Sequence, residues 1–206
     1  MIVIIDCGMG NLQSVVRAFE RIGAAARASS AIADVEAAQR LVLPGVGSLA
    51  HGMEALRAHG LLPLLRQQVL ERRIPVLGIC VGHQMLTRMS EEGNCDGLGW
   101  VDGETTRFRF AAPQPVLKVP HLGWNTLRRR RDCALLDGIP EDACFYFAHS
   151  YKVTCDDAAT VAATADYGGE FVAVLHRDNI FGTQFHPEKS QAHGLRVLRN
   201  FVGHGS

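Results

Sequence analysis

Pro75-Val76-Leu77-Gly78-Ile79-Cys80-Val81-Gly82-His83-Gln84 changes character halfway along its length. Its first half is continuously apolar, as a strand covered on both faces must be. Its second half turns at two glycines and runs into a stretch that reads as a helix over Val81–Met89. The same rhythm precedes it. Ile2–Asp6 is an apolar strand, and Gly8-Met9-Gly10-Asn11 makes a turn. Leu12, Val15, Val16, Phe19 and Ile22 then repeat at helical spacing. Ala24–Ala28 and Leu41-Val42-Leu43 read as further strands, the latter stopped by Pro44-Gly45-Val46-Gly47. Helices are expected over Leu49–His59 and Leu61–Glu71. Strands alternating with helices imply a parallel sheet, right-handed crossovers and helices on both faces.

The second half of the chain has a different pattern. Trp100–Phe110, Val116–Val119, Asn125–Arg129, Phe145–Val153, Thr160–Ala165, Phe171–His176 and Ile180–Phe185 read as short strands, with Gly, Asp and Asn between several of them. A final helix is expected over Ser190–Val202. The fold class that follows is α/β, a mostly parallel sheet with helices on both faces and an antiparallel extension in the second half. No repeat or linker divides residues 1–206, so a single domain is expected.

Composition narrows the function classes. Basic and acidic residues each total 21, so the formal charge is zero and nothing pulls the chain as a whole toward nucleic acid or an anionic membrane. Met1-Ile2-Val3-Ile4-Ile5-Asp6 has no basic lead and reads as a strand, not a signal peptide. No apolar run approaches the roughly 20 residues of a membrane helix. The six cysteines, at 7, 80, 95, 133, 144 and 155, form no Cys-x-x-Cys pair. They are expected to be reduced thiols in the cytoplasm, with no metal and no cofactor. Cys80-x-x-His83 lacks further spaced ligands, and His83 reads as a packed or hydrogen-bonded helix residue. Arg128–Arg131 reads as at least partly solvated surface, or as a phosphate or partner patch.

Three stretches carry chemistry. Gly78-Ile79-Cys80-Val81-Gly82 has the strand–turn–helix context of a nucleophile elbow, with cysteine where hydrolases of that type carry serine. Helix N-termini favour the thiolate, and the Val81 N–H is expected to be free for an oxyanion. A buried cysteine in a tight β–α turn would read the same way. His186-Pro187-Glu188 follows the strand Ile180–Phe185 and supplies a base and a carboxylate to orient it. A polar loop capping the last helix is the plainer alternative. Pro44-Gly45-Val46-Gly47 ends another strand and can bring backbone N–H groups to the same sheet edge, where ligands of open parallel sheets gather.

Together these motifs resemble the class I (triad) glutamine amidotransferases. The likeness narrows to the glutaminase subunits of imidazole glycerol phosphate synthase. It rests on Leu43-Pro44-Gly45-Val46-Gly47, Gly78–Gln84, Pro120–Asn125, Tyr146–Tyr151 and Gly182–Gln191, and spans nearly the whole chain. His83 departs from it, standing where that group usually has Met. The resemblance implies a flavodoxin-like fold and the following roles. Cys80 attacks the glutamine amide and forms a thioester, His186 moves the protons, and Glu188 orients His186. Val81 N–H and an N–H of the Pro44–Gly47 loop, taken as that of Val46, form the oxyanion hole. Gln84, Glu92, Ser150 and Tyr151 hold glutamine. The ammonia passes to a separate cyclase partner, built as a (β/α)8 barrel, that makes imidazole glycerol phosphate in histidine biosynthesis. His121, Trp124, Tyr146 and Lys189 are expected on or near the face that meets it. The competing readings are an amidotransferase feeding a different synthase, such as one of surface-sugar amination, and a non-enzymatic flavodoxin-like binding protein.

Overall fold

The computed structural model describes residues 1–8, 12–45, 47–110 and 117–204. In chain order the first half holds β1 (Ile2–Ile5), α1 (Leu12–Arg21), β2 (Ala26–Ser29), α2 (Ile32–Glu36), β3 (Arg40–Leu43), α3 (Leu49–Ala58), α4 (Leu61–Arg66), β4 (Val76–Ile79) and α5 (Val81–Met85). The second half holds β5 (Met89–Ser90), β6 (Cys95–Asp96), β7 (Gly103–Arg107), β8 (His121–Thr126), β9 (Arg128–Arg129), β10 (Cys144–His149), β11 (Tyr151–Cys155), β12 (Val161–Asp166), β13 (Glu170–Arg177), β14 (Ile180–Thr183) and α6 (Gln191–Gly203).

The parallel part of the main sheet runs β2-β1-β3-β4-β14. Every residue of β1, β4 and β14 is buried. Successive strand side chains point to opposite faces, so both faces of these strands are covered. The helices do the covering in two packed groups, α1 with α6 and α2 to α5 with one another. Helix α1 buries Val15, Val16, Ala18 and Phe19 as one stripe. From β14 the sheet turns antiparallel into β13, which pairs with both β12 and β11, and continues through β7. Strands β8 and β10 stand apart as an antiparallel pair. Among the described residues no helix is long and apolar enough to cross a membrane.

Several sequence expectations are corrected. The helix expected over Val81–Met89 stops at Met85. The Thr87 hydroxyl donates to the Gln84 carbonyl at 2.9 Å, competing with the helix for that acceptor, and Met89–Ser90 joins β7 as a strand. The helix expected over Leu61–Glu71 is α-helical only to Arg66 and finishes as a π turn over Gln67–Glu71. The strand expected over Trp100–Phe110 shrinks to β7, because the Trp100 and Val101 N–H groups both donate to the Leu86 carbonyl instead of a ladder. Asn125–Arg129 is split: Asn125 belongs to β8, while Arg128–Arg129 pairs with β12 in the other sheet. Phe145–Val153 is likewise two strands in two sheets, changing over at Ser150. Ala24–Ala28 slides to Ala26–Ser29. Of Val116–Val119, Val116 lies outside the described residues and 117–119 form no strand; Met9, Gly10 and Asn11 of the first turn also lie outside them.

The four arginines are partly solvated, as expected, with Arg128, Arg129 and Arg130 exposed, and each also has a partner. Arg128 meets Asp166 and Glu170, Arg130 meets Glu170, Arg129 donates to the Leu136 and Ile139 carbonyls, and Arg131 donates to the His176 carbonyl. They tie β9 to β12, β13 and the 134–139 turn.

Candidate active site

The parallel register places the ends of three strands side by side, with Leu43 opposite Gly78 and Thr183 opposite Ile79. The segments that follow therefore meet at the C-terminal edge of the sheet: Pro44 and Gly45 after β3, Cys80 after β4 and His186 after β14. Cys80 N–H donates to the Thr183 carbonyl at 2.8 Å, which welds two of them together.

Cys80 has φ 52° and ψ −103°, a backbone shape that side chains disfavour. Glycines make so sharp a turn possible. A Cβ on Gly78 would lie 2.5 Å from the Gly82 carbonyl oxygen, and one on Gly82 would run into the Leu43 carbonyl. The turn packs on itself and on β3, and the thiol projects over the sheet edge. Its sulfur lies 3.8 Å from the Ala148 carbonyl and 3.8 Å from the Gln184 side-chain amide, which donates to it. Helix α5 is five residues long, too short to build a full dipole, so the main electrostatic partner of the sulfur is His186.

The His186 imidazole is in hydrogen-bonding contact with Cys80. Its Nδ1 stands 2.8 Å from Glu188 Oε1, and the two side chains are only 2% and 5% exposed. A carboxylate oxygen accepts, so Nδ1 carries the hydrogen and Nε2 is left to face the sulfur. Burial works against charge on this ring. Contacts with the Cys80 sulfur and the Glu188 carboxylate outweigh it and push His186 up to about 10. The backbone around the ring is fixed as well. His186 N–H donates to the Tyr146 carbonyl at 2.9 Å. The Ser190 hydroxyl donates to the His186 carbonyl at 2.7 Å while accepting the Tyr146 N–H at 3.0 Å.

A cavity of about 330 Å³ opens over Cys80. Its wall brings together Cys80, Val81, Gln84, Glu92, Ser150, Tyr151, His186 and Lys189 from the sequence analysis. Glu188 sits behind His186. Gln84 donates its side-chain amide to the Tyr151 carbonyl at 3.1 Å and to Gln184 Oε1 at 3.2 Å. Glu92 accepts the Leu49 N–H at 2.9 Å, at the start of α3. One expectation fails here: the Val81 N–H is not free, because it donates to the Gly45 carbonyl at 3.4 Å. The Gly45 loop lies against the start of α5, so close that a Cβ on Gly45 would sit 2.5 Å from Val81 Cβ. Val46 lies outside the described residues.

Of the four surface candidates, three cluster. Trp124 is 49% exposed, its ring 5.9 Å from that of Tyr146 across the β8–β10 pair, and Lys189 Nζ lies 5.9 Å from the Tyr146 ring. His121 is the exception and is corrected: it is 3% exposed. Alternation along β8 turns Leu122 and Trp124 outward and His121 inward, between the rings of Phe147 and Tyr167. His83 is fully buried, and neither ring nitrogen makes a hydrogen bond, although the Val172 backbone lies close. Burial pushes it down to about 3.

Sequence reasoning missed Gln184, Ser190 and His149. Gln184 precedes His186 by two residues on a mostly apolar buried segment, a polar intrusion that could have marked it. Ser190 and His149 act through contacts that only the fold creates.

The family model for class-I glutamine amidotransferase matches residues 3–204. The chain is 49% identical over 205 residues to imidazole glycerol phosphate synthase subunit HisH of Syntrophotalea carbinolica, covering 98% of each. It is 46% identical over 202 residues to subunit HisH 2 of Pseudomonas aeruginosa, again covering 98% of each. Among solved structures it resembles PurLQS of Thermotoga maritima, with a TM-score of 0.72 at 16% identity, covering 98% of this chain and 96% of that one. It also resembles a glutamine amidotransferase of Thermotoga maritima, with a TM-score of 0.63 at 16% identity, covering 98% and 80%. At these identities the two structures speak for the fold alone. The chain belongs to the class-I glutamine amidotransferases and, among them, to the family of imidazole glycerol phosphate synthase HisH subunits.

Proposed function

We propose that this chain hydrolyses glutamine through a Cys80 thioester and hands the ammonia to a separate cyclase partner, built as a (β/α)8 barrel, with which it forms a heterodimer in the cytoplasm. The whole of residues 1–206 serves as one amidotransferase domain. The observation that carries the reading is the buried His186–Glu188 pair, 2.8 Å apart, set against a cysteine held at positive φ on the wall of one cavity.

The chemistry follows from that placement. The Cys80 thiol passes its proton to His186 as the sulfur attacks the side-chain carbonyl carbon of glutamine, and the carbonyl oxygen takes up the negative charge. Collapse of the tetrahedral species breaks the C–N bond, with His186 giving its proton to the leaving nitrogen. Water then attacks the thioester as His186 takes its proton, the C–S bond breaks with the proton returning to the Cys80 sulfur, and glutamate leaves. Gln84, Glu92, Ser150 and Tyr151 line the rest of the cavity as the glutamine pocket. Val81 N–H is one oxyanion donor. Its 3.4 Å bond to the Gly45 carbonyl is long and easily exchanged for an oxyanion. The companion donor in this reading is Val46, and losing one such donor costs about 10²–10³ in rate. Gly45 and Gly47 on either side of Val46 let that peptide turn. Trp124, Tyr146 and Lys189 provide the docking face, an aromatic pair with a cation at the cavity mouth.

The test is to supply purified cyclase and its acceptor nucleotide with either glutamine or ammonia. Cys80→Ala should lose turnover from glutamine and keep turnover from ammonia. Loss of both would move Cys80 from chemistry to assembly. Turnover from neither in the unaltered complex would favour an amidotransferase serving a different synthase.

A further inference from the structure

We infer that His149 and His121 are positioning residues for the glutamine pocket, linked in a one-way chain of ring N–H donors that ends on the Tyr151 carbonyl. The inference rests on the glutaminase reading above for what the pocket holds. The direction of the chain is fixed by its end. His149 Nδ1 stands 2.7 Å from the Tyr151 carbonyl oxygen. A carbonyl only accepts, so Nδ1 carries the hydrogen. In the neutral ring Nε2 is then an acceptor, and the group facing it at 3.0 Å is His121 Nδ1, which must donate. His121 Nε2 is left as an acceptor, with Asn125 Nδ2 at 3.5 Å. Asn125 is itself oriented: it donates to the Asp166 carbonyl at 2.8 Å and accepts the Thr126 N–H at 2.9 Å.

The place where the chain ends needs such a tie. Ser150 is where the backbone leaves the β8–β10 pair and enters the main sheet as β11, so no continuous ladder runs through it. His149, Ser150 and Tyr151 nevertheless form one wall of the cavity over Cys80. The Tyr151 carbonyl receives two donors, His149 Nδ1 and the Gln84 amide. Both histidine rings are buried, packed with Phe108, Phe147 and Phe171. Burial keeps them neutral, His121 at about 4 and His149 at about 3, so the donor order persists at neutral pH. The far end of the chain lies in β8, the strand that carries exposed Leu122 and Trp124.

Two measurements test this. Ring ¹⁵N shifts of labelled histidine in the unaltered chain should place His121 and His149 both in the Nδ1–H form. Glutaminase kinetics in the cyclase complex should then separate two variants. His121→Phe fits the aromatic surroundings and removes the donor, leaving His149 Nε2 unpaired. It should raise KM for glutamine by about tenfold, with a smaller change in kcat. His121→Asn places an amide donor where Nδ1 stood and should restore most of the loss. An Nε2–H form of His149, equal kinetics for His121→Phe and the unaltered complex, or equal damage from both variants would overturn the proposal. An unaltered complex without glutaminase activity would overturn the functional reading instead, and the ring shifts would still decide the chain of donors.

Discussion

In the proposed mechanism His186 and Glu188 divide the labour of one proton transfer, and the division has measurable consequences. The imidazole touches the sulfur, whereas the carboxylate touches only the far side of the ring. Removing the ring in His186→Ala removes the proton carrier, a loss of about 10²–10⁴ in rate. Glu188→Gln keeps a neutral acceptor at the same place and should cost less, measured as kcat for glutamine hydrolysis. A loss from Glu188→Gln equal to that from His186→Ala would give Glu188 a direct part in the chemistry. At this scale much was legible in the sequence. A cysteine between glycines after an apolar strand, and a His-Pro-Glu triplet after another, marked the residues that the fold brings to one cavity. The inward turn of His121 was not legible, because it depends on which face of β8 meets Phe147 and Tyr167.

Strand β3 and helix α5 approach each other more closely than any side chain at residue 82 would permit. A Cβ there would strike the Leu43 carbonyl, which belongs to backbone and cannot swing aside. Gly82→Ala should therefore push α5 off β3 and displace the Cys80 turn. A drop in thermal midpoint together with loss of glutaminase activity is expected, and an unchanged midpoint would contradict the packing. The glycines and the apolar strands around them could be read directly, since both leave a mark in local sequence. The change of sheet at Ser150 left none: Phe145–Val153 holds no glycine or proline, and the break is imposed by competing partners, β8 on one side and β7 on the other. The early end of α5 had the same kind of cause, a threonine hydroxyl capturing a helix carbonyl.

The stability of the whole molecule carries the mark of its buried histidines. His83, His121 and His149 all have pKa values pushed below the ordinary histidine range by burial. Such groups are neutral in the fold and take up protons when it opens. Their contribution is full above about pH 6.5 and is lost as pH falls toward 3 to 4. His83 adds a second cost, because both of its ring nitrogens are buried without a hydrogen bond. His83→Met should stabilise the chain by about 1–3 kcal/mol at neutral pH and flatten its loss of stability in acid, measured by urea unfolding across pH. A destabilised His83→Met with the same acid slope would mean that the ring finds a partner. None of this bears on catalysis unless the central claim holds, that Cys80 is the nucleophile. The direct measurement is glutamate release by the complex with cyclase and acceptor nucleotide, for the unaltered chain and for Cys80→Ser side by side. Steady release is expected from the first and none above background from the second, with both binding the cyclase equally. Glutamate release by Cys80→Ser at the unaltered rate would contradict the claim that Cys80 is the nucleophile.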